Sequence, residues 1–237
     1  MSSLLSSRFP FMMKTMKKRT SLTTSTHAAA ARIRPAAVPQ MLFELSWEVC
    51  NQVGGIYTVI RSKVPAMVDT WGSQYCLIGP YVPENALSEF EELPDDAHPV
   101  SRSVRALRAD GVEGFFGRWL VTGRPAVVLF NVFSVYSKLP ELRKEYEKRQ
   151  GVKIPADDDL ACQAVAFGYC ITRFFIRLIE THRKSGQILA HFHEWLSAAA
   201  VPTLKAAALP VKLIFTTHAT LLGRYSSTGN PLFYDQL

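Results

Sequence analysis

Short, dense apolar runs alternate along the chain with longer stretches whose apolar residues recur every three or four positions. The first kind predicts buried strands and the second amphipathic helices. Leu42–Leu45 is such a run. A polar bend follows it, and Gly54-Gly55 opens a segment with Ile56, Val59, Ile60 and Val64 on one side, closed by Trp71-Gly72. Tyr75–Ile78 predicts a second buried strand, ended by Gly79-Pro80. Residues 83–113 are acidic and then basic with weak periodicity, which predicts a surface excursion carrying one irregular helix. The runs Gly114–Val121 and Ala126–Val132 flank Thr122-Gly123-Arg124-Pro125, a turn signal that makes them a hairpin. Lys138–Gln150 is a charged, solvated helix or loop.

The clearest helix begins at the acidic run Asp157, Asp158 and Asp159. Leu160, Ala164, Phe167, Gly168, Ile171, Phe174, Phe175, Leu178 and Ile179 then recur at three and four residues, with Lys184 in the last turn and Gly186 as the stop. Its aromatic face reads as core. Gln187–Phe192 is the next buried strand, a small-residue helix covers Leu196–Ala208 and stops at Pro210, and Lys212–Phe215 is another strand. Strand, helix, strand, helix, strand implies an α/β fold, a doubly wound, mostly parallel sheet with helices on both faces.

Composition narrows the picture in three places. Residues 1–43 hold seven of the 27 basic residues and no acidic one, which leaves 20 basic residues against 20 acidic ones elsewhere. The net charge of +7 therefore describes a tail, and no basic folded face argues for nucleic acid. Residues 1–40 are Ser/Thr-rich with an alanine run at Ala28–Ala31. They are expected to be a disordered basic tail, dispensable for folding, or an organelle transit segment. Cys50, Cys76, Cys162 and Cys170 have no metal-ligand spacing and read as reduced, mostly buried thiols, and no uninterrupted apolar run approaches a membrane span.

Ligands of an open parallel sheet bind beyond the carboxyl ends of its strands. Three predicted strands end there in polar groups: Gln52 to Gly55, His193-Glu194, and His218 with Arg224 six residues later. Gly54 and Gly55 would allow a positive φ and present the first amides of a helix to a phosphate, although an ordinary tight turn reads the same way. Arg224 offers a planar fork of donors to phosphate, Glu194 could orient or deprotonate a hydroxyl, and Trp195 offers a flat face to a sugar ring or packs in the core. A histidine after one strand is commonly structural, whereas three such ends at one edge indicate a shared site. The ligand so described is a nucleotide or a nucleotide sugar.

Several segments, Leu42-Phe43-Glu44…Trp47-Glu48-Val49…Val53-Gly54-Gly55-Ile56-Tyr57-Thr58-Val59-Ile60, Tyr75…Leu77-Ile78-Gly79-Pro80-Tyr81, Phe116-Gly117-Arg118-Trp119-Leu120, Ala190-His191-Phe192-His193-Glu194-Trp195 and Phe215 to Tyr225, closely resemble the animal and fungal type of glycogen synthase. The resemblance runs from about Leu42 to Leu237. It implies the N-terminal half of a GT-B fold, in which two Rossmann-like domains face a cleft. Such enzymes move glucose from UDP-glucose to the non-reducing 4-hydroxyl of an α-1,4-glucan, glycogen, with retention and with no metal or other cofactor. By resemblance, His218 and Arg224 contact the sugar nucleotide. His193, Glu194 and Trp195 line the cleft near the transferred glucose and acceptor, with Glu194 and His218 as the candidate catalytic pair.

Two departures qualify that expectation. The family carries Lys or Arg directly before Val-Gly-Gly, and Gln52 stands there. Residues 41–237 also correspond to a first domain alone, so a second GT-B domain is expected to be missing and the chain inactive by itself. The alternative is a non-catalytic glucan-binding or regulatory half-protein. No nucleic-acid or membrane partner is expected, homo-oligomerisation at full length stays open, and the location is cytoplasmic unless residues 1–40 direct it to an organelle.

Overall fold

The computed structural model describes residues 41–94, 98–182 and 186–219. The expectations for residues 1–40, for Lys184 and for Arg224 fall outside them. Among the described residues, seven strands form one sheet: β1 (Met41–Ser46), β2 (Tyr75–Pro80), β3 (Phe90–Glu92), β4 (Glu113–Trp119), β5 (Ala126–Asn131), β6 (Ile188–His193) and β7 (Val211–Thr216), in the order β3-β4-β5-β2-β1-β6-β7. The five strands from β5 to β7 are parallel to their neighbours, while β4 runs antiparallel to β3 and β5. The sheet is therefore mixed and mostly parallel, the α/β Rossmann-like architecture expected.

Alternation along each strand divides the core in two. Phe43, Leu45, Cys76, Ile78, Val128 and Phe130 pack with the long helix α5 (Asp159–Thr181) and with α3 (Pro99–Ala106). Leu42, Tyr75, Leu77, Val127 and Leu129 point to the other face and pack with Tyr57, Ile60 and Val64 of α1 (Gly55–Trp71). α5 begins where the Asp158 side chain accepts the Ala161 amide at 3.0 Å. By length and mean hydropathy (1.3) it could cross a membrane, although Gln163, Thr172 and Arg173 interrupt its apolar residues. Its apolar side is instead buried in this core.

Three elements differ from expectation. Residues 83–113 form two helices, α2 (Pro83–Glu89) and α3, with the edge strand β3 between them. The predicted hairpin is thus a three-stranded meander. The small-residue helix is two pieces, α6 (Glu194–Ala198) and α7 (Val201–Ala206), because Pro202 takes a first-turn position of a new helix. α5 stops at Thr181, short of Gly186; the Thr181 hydroxyl bonds the carbonyls of Arg177 and Leu178 at 2.7 and 3.3 Å, which competes with continuing the helix. α4 (Leu139–Gln150) is helical, and the four cysteines are free and buried.

β1 is flanked by β2 on one side and β6 on the other, so the chain reverses its direction of travel across the sheet there. That switch point is where a doubly wound sheet opens a crevice beyond its strand ends.

Candidate functional site

The loop from β1 to α1 is held by Glu48. Its Oε2 accepts the amides of Gly54 and Tyr57, each at 2.8 Å, and its own amide donates to Ser46 Oγ at 3.1 Å. Val49 lies over Gly79 at the end of β2, where a Cβ would come within 2.8 Å of both the Val49 side chain and its carbonyl. Gly54 is extended (φ −153°), so no positive φ is used there. A Cβ on Gly54 would sit 3.3 Å from the Glu48 carboxylate, and the glycine leaves room for that anion. The expected row of open helix amides is therefore partly filled. A carboxylate of the protein already meets the positive end of α1. Cys50, next to this loop, has φ 53°, a left-handed conformation uncommon outside glycine. Gln52 is exposed and borders a depression of about 440 Å³ with Tyr57, Thr58, Arg61, Ser62, Pro65 and Thr122.

A buried polar stripe runs from α1 across β2, β1 and β6 to the sheet edge. Its centre is Glu44, 1% exposed in the middle strand. Its carboxylate receives Lys63 Nζ from α1, the Tyr75 hydroxyl from β2 and His193 Nε2 from β6, the last at 2.7 Å. His191 Nδ1 lies 3.5 Å away and its Nε2 is 2.8 Å from Thr216 Oγ1. Burial by itself pushes Glu44 upward, but the bonds from His193, Lys63 and Tyr75 outweigh it and bring its pKa down to about 2. The same surroundings push Tyr75 upward through burial and the adjacent carboxylate. Burial and the neighbouring His193 hold His191 down at about 4.

The stripe surfaces at His218. His193 Nδ1 is 2.9 Å from His218 Nε2, and the two rings are stacked with centroids 5.2 Å apart. His193 is buried and His218 exposed. Glu194 has φ 61°, which turns its side chain back onto the loop after β7. Its Oε1 accepts the His218 amide, the Ala219 amide at 2.9 Å and the Thr217 hydroxyl at 3.1 Å. Burial raises Glu194, but these bonds win and lower its pKa. So engaged, the carboxylate holds the His218 loop and is a weak base. Trp195 is 51% exposed beside an apolar depression shared with Tyr146, Val152, Ile154 and Phe215, so it is not the packed core tryptophan of the alternative reading.

His193, Glu194 and His218 thus meet at one place, Gln52, Gly54 and Gly55 lie at the neighbouring end of β1, and Arg224 is outside the described residues. Glu44, Lys63, Tyr75, His191 and Glu48 were not anticipated. The signal for Glu44 was available, since it is the one acid in the strand Met41–Ser46. Donor atoms of Glu44, His191 and His193 lie within 4.8 Å of one another, a spacing a metal ion could use. The Lys63 ammonium already sits on that carboxylate, and the ring nitrogens are bonded to Thr216, His218 and Glu44. This set holds a cation supplied by the protein itself.

The profile of the glycogen synthase family matches residues 44–237. The chain is 41% identical over 197 residues to the liver glycogen [starch] synthase of Rattus norvegicus and 38% identical over 197 residues to the glycogen [starch] synthase of Neurospora crassa, covering 83% of this chain in each case. It is 37% identical over 206 residues to glycogen [starch] synthase isoform 1 of Saccharomyces cerevisiae. The chain spans 28% of the length of the rat and Neurospora proteins and 29% of the yeast protein. With a family profile over most of its length and these identities, the chain belongs to the glycogen synthase family.

Proposed function

We propose that this chain is the acceptor-side part of a glycogen synthase that transfers glucose from UDP-glucose to the non-reducing 4-hydroxyl of an α-1,4-glucan with retention. The observation that carries the reading is the meeting of His193, Glu194 and His218 at the ends of β6 and β7, next to the switch point at β1, in a sheet whose sequence matches that family over residues 44–237. On this reading, residues 41–237 contribute one wall of a GT-B cleft. His218 and Arg224 contact the sugar nucleotide, Trp195 borders the glucose and acceptor, and Glu194 holds the His218 loop in place, while His193, buried with both ring nitrogens engaged, backs His218 instead of lining the cleft. Fixed donors around the departing UDP and the positively charged sugar supply the electrostatic part of the acceleration. The reading carries a cytoplasmic location and, at full length, assembly with like chains.

The test is transfer of labelled glucose to glycogen by the reconstituted full-length enzyme. Arg224→Ala should weaken UDP-glucose binding by about 1.5–3 kcal/mol, the value of a charge-assisted contact, and leave glycogen affinity nearly unchanged. Equal losses for both ligands would mean that Arg224 only supports the fold.

A second reading, a non-catalytic glucan-binding half-protein, is favoured by Gln52 in the position of the family's basic residue and by Glu48 on the α1 amides. If the loop is a working pyrophosphate cradle, Gln52→Lys should tighten UDP-glucose roughly tenfold. A unit charge at about 4 Å contributes about 1–4 kcal/mol, reduced by desolvation and chain entropy. The gain should be larger at low salt, where exposed charges are less screened. Identical affinities for both versions at two salt concentrations would support the half-protein.

A further inference from the structure

A carboxylate with 1% exposure in the central strand of a parallel sheet costs a large desolvation energy, and an apolar residue of similar size would serve stability as well. Lys63, Tyr75 and His193 together compensate Glu44, with the His193 bond the largest contributor. The further step from His193 to His218 adds nothing that compensating Glu44 requires. We propose that Glu44 is a positioning residue. Acting through His193, it fixes the tautomer of His218, so that Nδ1 of that exposed ring is held as an acceptor for a substrate hydroxyl. Only the identity of that hydroxyl, one on the transferred or accepting sugar, rests on the function proposed above.

An ionised carboxylate only accepts, so the 2.7 Å contact requires the hydrogen on His193 Nε2. With one hydrogen on its ring, His193 has a lone pair on Nδ1, and the 2.9 Å contact then takes its hydrogen from His218 Nε2. Burial keeps His218 below the ordinary histidine value, which favours its neutral ring. Its Nδ1 is left with a lone pair and has no partner among the described residues. Among the described residues, the charged groups facing this chain each have a place in it. Lys63 and Tyr75 hold Glu44, His191 is bonded to Thr216, and Glu194 grips the His218 backbone. Glu48, which faces the ring from the β1–α1 loop, is occupied with the amides of Gly54 and Tyr57.

Long-range proton–nitrogen correlation spectra of the nitrogen-labelled chain at neutral pH read the tautomers directly. The expected spectrum has protonated, pyrrole-type Nε2 and bare, pyridine-type Nδ1 on both His193 and His218. A hydrogen on Nδ1 of His218 overturns the proposal without any variant. Glu44→Gln, checked for native circular dichroism, should move both His218 nitrogens to intermediate shifts as its tautomers mix. Unchanged shifts in the folded variant overturn it. Should Glu44→Gln not fold, His193→Phe fills the same volume without nitrogens and should release His218 to the same mixture. A pure Nε2–H ring there overturns the proposal equally. The measurement needs no sugar, so a failed transfer assay and a failed tautomer assignment are separate results.

Discussion

Phe43→Ala should lower the unfolding free energy by about 3–5 kcal/mol, the usual cost of removing a buried phenyl ring. Phe43 has no exposed surface and stands in β1 between β2 and β6. It meets Phe174 and Phe175 edge to face, with centroids 5.5 and 5.4 Å apart, so its loss breaks two aromatic contacts between the central strand and α5. Domains hold only about 5–15 kcal/mol in reserve, so the substitution consumes a large part of it. The thermal midpoint should fall by roughly 10 °C or more. Urea unfolding followed by circular dichroism checks this. A loss under about 1 kcal/mol would mean that the two facing rings close the gap, contrary to the rigid packing inferred here.

Acid should destabilise the fold in two steps, both with the same sign. Between 4.5, its ordinary value, and about 2, Glu44 is protonated in the unfolded chain and ionised in the folded one. The unfolded state therefore binds more protons, and stability falls as pH drops. The contribution is complete above the upper value and gone below the lower, on the order of 3 kcal/mol. His191 acts higher, between 6.5 and about 4, because burial keeps its ring neutral in the fold while the unfolded ring takes a proton. Its half-buried position makes that step smaller. Urea midpoints at neutral pH, at about pH 5 and at about pH 3 trace both steps. Glu44→Gln should be less stable at neutral pH and should flatten the lower step. A wild-type profile as flat as the variant's would show that Glu44 is not held ionised by its partners.

Much of the sheet was legible because burial on two faces writes itself as unbroken apolar runs. Leu42–Leu45, Tyr75–Ile78 and Gln187–Phe192 lie within or next to β1, β2 and β6 for that reason. β3 was not legible: Phe90-Glu91-Glu92 is three half-open residues whose pairing is dictated by β4, not by their own pattern. The break at Pro202 lay in a small-residue stretch where periodicity is weak. The candidate site divides the same way. His193, Glu194 and His218 stand at strand ends and could be found by position. Glu44 gains its meaning only from Lys63, 19 residues away, and His193, 149 residues away, and no local window holds both. Glu48 and Glu194 were visible as acids, but a carboxylate's choice between a ligand and the protein's own amides depends on loop geometry.

The placement of the stripe also sets how its two ends move. β1 is bonded to a strand on each side, whereas among the described residues β7 has β6 alone, and Ile214 and Phe215 on it are 45% and 52% exposed. Amide hydrogens on β1 can exchange with solvent only when the whole sheet opens, while those of β7 and the Thr217–Ala219 turn can exchange through fraying of one strand. Glu44 is thus anchored on a strand bonded on both sides, and His218 follows one that, among the described residues, is bonded on a single side. A ligand that grips His218 would slow the exchange of β7 and leave β1 unchanged, recording occupancy at the edge of the sheet.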